Sequence, residues 1–135
     1  MPESTGRSAT ANGDIAPFVA VMIDTTVDNR LIQATAAARA VGIAGKGRRY
    51  APYSPLDDGL IAKQNEVFNY YGEGEENVPA KLGGTVASGD RLKVTTGGVL
   101  IATTADGDLF VATARMSGAS GDIIPVDITI GQVAA

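Results

Sequence analysis

The chain contains no cysteine, no histidine and no tryptophan. Without cysteine there are no disulfides, no thiolate metal sites and no thiol nucleophile. Without histidine the commonest general base and metal ligand are missing, so Ser-His-Asp chemistry and most transition-metal sites are excluded. Aromatic residues make up only 5% of the 135 residues, too few for an interface anchored on many large rings. Long apolar runs are absent as well. The longest, such as FVAVMI at 18–23, fall far short of the roughly 18 residues a spanning helix requires.

The formal net charge of −4 disfavours nucleic acid and anionic membrane surfaces as partners. The N-terminus, MPESTGRSATANGD, is polar where a signal peptide would be apolar. The expectation is a soluble, unprocessed chain of one domain. Residues 1–14 carry no large apolar side chain after Met1, so burial cannot offset the entropy of ordering them. They read as a flexible arm, with residues 15–135 as a single β-rich domain.

From Pro17 the pattern changes. FVAVMID is apolar at successive positions, as in a strand covered on both faces, which places Phe18, Val19, Val21 and Ile23 in the core. Asp28 and Asn29 supply turn chemistry and RLIQAT returns as a second strand, making a hairpin. TAAARA at 35–40 favours at most a short helical turn, because Gly42 and Gly45 follow closely, and VGIA at 41–44 reads as a short strand. The Gly- and Pro-rich stretch around residues 45–65 is loop. In it Lys46, Arg48 and Arg49 accompany Tyr50 and Tyr53, a basic and aromatic mixture able to grip single strands. The same residues fit a solvated or protein-contact loop, which the acidic total charge favours. GIAGKGR lacks phosphate-loop spacing. Residues 66–71 read as a strand, and Glu73, Glu75 and Glu76 in GEGEEN as a solvated hairpin turn rather than a calcium or acid–base site.

The octet ASGDRLKV at 87–94 returns as ASGDIIPV at 119–126, with looser copies ADGDLFVA at 105 and ANGDIAPF at 11. Ligands or acids repeated in this way would mark an active site; turn residues would mark a scaffold. Glycine takes positive φ freely and aspartate can bond a nearby amide, so Asp90, Asp108 and Asp122 read as residues that launch strands. DGDLF lacks the calcium-loop spacing and its closing glutamate. After the aspartates, Leu92 and Val94 match Ile124 and Val126 on one face, and the alternation continues through Ile128 and Ile130 with Asp127 and Thr129 outward. Pro125 implies that this strand is an edge or carries a bulge. Turn signals every 8 to 14 residues from Gly83 onward suggest a meander of an all-β sandwich or barrel.

APFVAVMIDTTVDNRLIQAT, VGIAGKG, GGTVASGDRLKVTTGGVLIATT and SGASGDIIPVDITIG together resemble the capsid decoration (cement) proteins of tailed bacteriophages. The resemblance spans about residues 13–131, while RRYAPYSPLDDGLIAKQNEVFNYYGEGEEN departs from it. It implies a mainly β protein, a small single-domain barrel or β-tulip-like sheet with an extended N-terminal arm. It further implies a non-enzymatic virion protein, made in the host cytoplasm and added to the outer capsid surface, which bridges subunits of the major capsid protein as homotrimers. No cofactor, metal, nucleic acid or membrane is implied. The capsid-binding arm would then include Pro2, Glu3, Ser4, Thr5, Gly6, Arg7 and Ser8, with Lys46, Arg48, Arg49, Tyr50 and Tyr53 as a protein-contact loop. An alternative is a barrel-sandwich carrier or binding domain of the lipoyl or biotinyl type, whose half-motif rhythm GTVASGDRLKV…GGVLIA resembles. Its modified lysine would belong at the tip, where TTGG has none.

Overall fold

The computed structural model describes residues 7–35, 39–45, 59–103, 105 and 107–133. The strands are β1 (Arg7–Ala11), β2 (Ala20–Ile23), β3 (Arg30–Gln33), β4 (Gly42–Ala44), β5 (Val67–Gly72), β6 (Val78–Lys81), β7 (Arg91–Val94), β8 (Leu100–Ala102), β9 (Leu109–Ala114) and β10 (Ile123–Gln132), with one 3-10 turn at Thr96–Gly98. The protein is mainly β, as the turn spacing and alternation predict. Strands β1-β3-β2-β4-β5 form a closed barrel, and the others form a five-stranded sheet in the order β6-β10-β9-β7-β8.

One apolar cluster fills the barrel: Ala11, Ile15, Val21, Leu31, Ala44, Ala62 and Phe68. A larger one spans both units, with Ala20, Ala34, Ala40 and Ile43 from the barrel against Leu92, Leu100, Val126 and Ile128 from the sheet. Neighbours Ala20 and Val21 thus bury opposite faces of β2, the doubly covered strand that FVAVMID indicates. At its ends the expectation changes. Phe18 is half-buried at φ 67°, and Ile23 at the barrel rim is 57% exposed. The β2–β3 hairpin is present, with Val21 opposite Gln33 and Asn29 at φ 60°.

Three expectations about connectivity are corrected. Residues 7–11, assigned to the flexible arm, are β1, parallel to β3 and antiparallel to β5. A strand whose ladder is satisfied on both sides does not need large side chains of its own. GEGEEN is not a hairpin tip, because β5 belongs to the barrel and β6 to the second sheet; it is the connector between the units, tied to β10 by Gly74 N–H to Ile128 O and Ile128 N–H to Glu75 O. The region after Gly83 is not a simple meander, since consecutive β8 and β9 lie on opposite sides of β7.

Strand β10 alternates as expected, with Ile124, Val126 and Ile128 buried. Pro125 does not put it at an edge: β10 lies between β6 and β9, with a register irregularity further along, between Ile128 and Gly131. Arg115 N–H donates to Pro125 O, so the missing donor of Pro125 faces β9, and Ser88 Oγ donates to the Arg115 carbonyl instead (3.3 Å). Opposite Pro125 on β6 stands Pro79, at a pair whose backbone groups point away from each other, so that ladder loses nothing there.

Candidate functional site

The N-terminal strand is where the expected capsid-contact residues enter the described structure. Of them, Arg7 and Ser8 are described; Pro2, Glu3, Ser4, Thr5, Gly6, Lys46, Arg48, Arg49, Tyr50 and Tyr53 lie outside the described residues. Ser8 Oγ meets Asn69 Oδ1 at 3.2 Å across the β1–β5 pair. The Arg7 guanidinium extends over Gly72, with Nη1 3.8 Å from Glu75 Oε1 and Nη2 donating to Glu73 O at 3.5 Å. Arg7 therefore ties the start of β1 to the connector between the two β units.

From the other side the connector is held by the second sheet. Arg115 Nε donates to Asp127 Oδ1 at 2.6 Å, and Arg115 Nη2 lies 3.6 Å from Glu76. Asn77 N–H donates to Asp127 Oδ1 (3.2 Å), and its side-chain oxygen accepts from Arg115 (3.3 Å). The bond from Arg115 is the main reason the Asp127 carboxyl sits below the usual aspartate range, and Asp127 in turn raises Arg115. Arg7 meets a connector far along the chain, whereas Arg115 and Asp127 face each other across the connection between consecutive strands β9 and β10.

The repeated A-x-G-D segments resolve into turns. Asp90, Asp108 and Asp122 each donate a backbone N–H to the carbonyl of the alanine three residues back, at 3.0 to 3.2 Å, and Gly89, Gly107 and Gly121 have φ of 83° to 92°. That is the type II pattern, which requires positive φ at its third residue. In two copies the aspartate carboxylate accepts the alanine N–H at 2.9 Å, Asp90 from Ala87 and Asp122 from Ala119. Asp108 departs from them. It accepts from Thr103 Oγ1 (2.6 Å) and Lys93 Nζ (2.9 Å), in that order of importance for lowering its pKa. Asp108 is therefore a bridge between strands and has no proton to give near neutral pH. The first copy, Ala11 to Asp14, differs again: Gly13 has φ 134° and the Ala11 N–H donates to Glu66 O.

Asp24, at the end of FVAVMID, holds the turn that follows β2. It accepts from Thr26 N–H (2.8 Å), Thr26 Oγ1 (2.7 Å) and Asn12, and the Thr26 hydroxyl is the first cause of its lowered pKa. The D-T-T sequence could have signalled this local turn. Among the described residues no three His, Cys, Asp or Glu groups gather to hold a metal, and no helix is long and apolar enough to cross a membrane. A cleft beside Phe110 and Gly131 has a volume of ≈ 200 Å³, one beside Lys93 and Asp108 ≈ 340 Å³ and one beside Asp90 and Thr103 ≈ 300 Å³, below or at the lower end of the roughly 300–1,000 Å³ of small-molecule sites. The TTGG tip, where a carrier would present its lysine, is docked on the barrel: Gln33 Nε2 donates to Gly97 O at 2.8 Å, and Gly98 packs against Val19 and the Ala20 carbonyl.

Across residues 1–129 the sequence matches the family of structural cement proteins described by E217 gp24 and Pam3 gp6. No curated protein gives a significant match. Among solved structures, the fold is similar to that of the head fiber gp8.5 N base in bacteriophage phi29, at 12% identity and a TM-score of 0.56, covering 96% of this chain and 97% of that one. At such identity the likeness concerns the fold.

Proposed function

Because the chain belongs to the phage structural cement protein family, we propose that it binds the outside of a phage capsid and stabilises the shell by bridging neighbouring subunits of the major capsid protein. The observation that carries this reading is a family match over nearly the whole chain, residues 1–129. The structure is consistent with a mechanical task. A barrel and a sheet share one core, and their connector is fastened by Arg7 on one side and Arg115 on the other, which suits a rigid body that transmits load. Residues 2–6 precede the anchored Arg7 and supply the arm toward the capsid. A short segment ordering on a surface gains little alone, but symmetric copies, taken here as trimers, supply avidity.

The reading predicts a structural protein with no enzymatic step. It is tested by co-sedimentation of the purified chain with stripped, expanded capsids of its source phage, titrated to saturation. Saturable binding at a fixed ratio to the major capsid protein is expected. Absence of binding to undecorated shells overturns the proposal.

A further inference from the structure

We infer that the slot between β3 and β5 is a strand-acceptor site whose second occupant is the β1 strand of another copy of this chain. The inference goes beyond capsid attachment and does not depend on it. It starts from where a strand could be added at all. The barrel is closed. On the second sheet, the outer edge of β6 carries Pro79, which has no donor, and Lys81, whose N–H is taken by Phe18 O. At the outer edge of β8 the Leu100 carbonyl is taken by Gly83 N–H, and Leu82 bridges Leu100. Among the described residues, the slot filled by β1 is thus the place where an incoming strand is offered ladder partners on both sides.

The occupant of that slot is held by its ladders and by Arg7 rather than by apolar burial, whereas the slot itself is demanding. RSATA contributes only Ala9 and Ala11 to the barrel interior, so little apolar area holds it there. Its departure would uncover Leu31 and Phe68, which are 7% and 3% exposed, and an emptied slot would call for a replacement. The replacement is specified chemically. Gly72 leaves room for the guanidinium of an arginine at the first strand position, and Glu75 faces it. A second copy's β1 meets every requirement with identical contacts, which is the condition for exchange between protomers.

The chain also has a place to bend. Between the strand and Ile15, which is fully buried and paired with Ala62, stand Asn12, Gly13 and Asp14. This is the one A-x-G-D copy that does not form the type II turn, and its glycine is at φ 134° with open space around it.

The absence of cysteine makes the test direct. Ser8 and Asn69 are register partners across β1 and β5. Ser8→Cys and Asn69→Cys are prepared as separate full-length chains, mixed equally, unfolded, refolded together and joined with a short bis-maleimide, which tolerates imperfect thiol geometry. Exchange predicts an inter-chain 8–69 link as the dominant crosslinked dimer by peptide mass spectrometry. Since a tethered strand competes at an effective concentration of the order of mM, a tenfold rise in protein below that level should raise the 8–69 yield by about tenfold. If 8–69 dimers are no more abundant than 8–8 and 69–69 dimers together, the proportion that random encounters give, at every concentration, the strand stays in its own slot and the inference is overturned.

Discussion

Gly72 and Arg7 occupy one shared volume: a Cβ built on Gly72 would lie 1.3 Å from Arg7 Nη1. Two residues at opposite ends of the barrel sequence therefore depend on each other, one by having no side chain and the other by having the longest basic one. The contact places a positive group at the acidic connector.

Replacing Gly72 with Ala should displace Arg7, but only the far end of a flexible side chain has to move. The expected loss is about 1 kcal/mol or less, as for a partly exposed ion pair. Gly42→Ala should be far worse, since its Cβ would meet the Tyr71 carbonyl at 2.1 Å and the β4–β5 pair would have to separate, at about 3 kcal/mol or more. Denaturant unfolding of both variants checks the order; equal losses would contradict the assigned contacts.

Truncation separates anchoring from attachment. Removing residues 2–6 should leave the melting temperature nearly unchanged while weakening capsid binding. Removing residues 2–14 takes β1 as well and exposes Leu31 and Phe68, so it should lower the melting temperature strongly. A melting temperature indifferent to the longer deletion would show that the barrel does not need β1.

Gly121→Val tests the turn assignment. The glycine has φ 90° and no atom within 4 Å of a Cβ, so backbone strain alone opposes the β-branched residue, at about 1–3 kcal/mol. Thermal unfolding against wild type measures it. Unchanged stability would remove the positive-φ turn as the reason for glycine there.

Acid should destabilise the fold through Asp24, Asp108 and Asp127. Each has a folded pKa below its ordinary value, so each binds protons less readily when folded than when unfolded. Their stabilisation is complete above the unfolded value of about 3.9 and is lost as pH falls below it, through the folded values. Melting curves between pH 7 and pH 2 should show that fall, and Arg115→Met should make it shallower by removing the first cause of the Asp127 shift. A slope unchanged in Arg115→Met would assign the acid sensitivity to other groups.

The sequence by itself determined the features that local chemistry controls. The A-x-G-D turns at 87, 105 and 119 follow from a glycine at positive φ and a hydrogen bond spanning four residues, and the buried face of β10 follows from its two-residue period. The β2–β3 hairpin follows from the turn chemistry of Asp28 and Asn29, and the strands expected at 41–44 and 66–71 stand at Gly42–Ala44 and Val67–Gly72. Beyond that hairpin, tertiary structure decided which strands became neighbours. RSATA is too polar and small to announce a core strand, yet the open backbone edges of β3 and β5 supply a ladder that no property of those five residues encodes. In the same way GEGEEN has the composition of a hairpin tip, but β5 and β6 find better partners in β1, β4 and β10. Turns are settled within a few residues by backbone sterics, whereas strand partners are settled by burial and hydrogen bonding across the whole chain. That is why Arg7 and Gly72, 65 positions apart, meet only in the folded molecule.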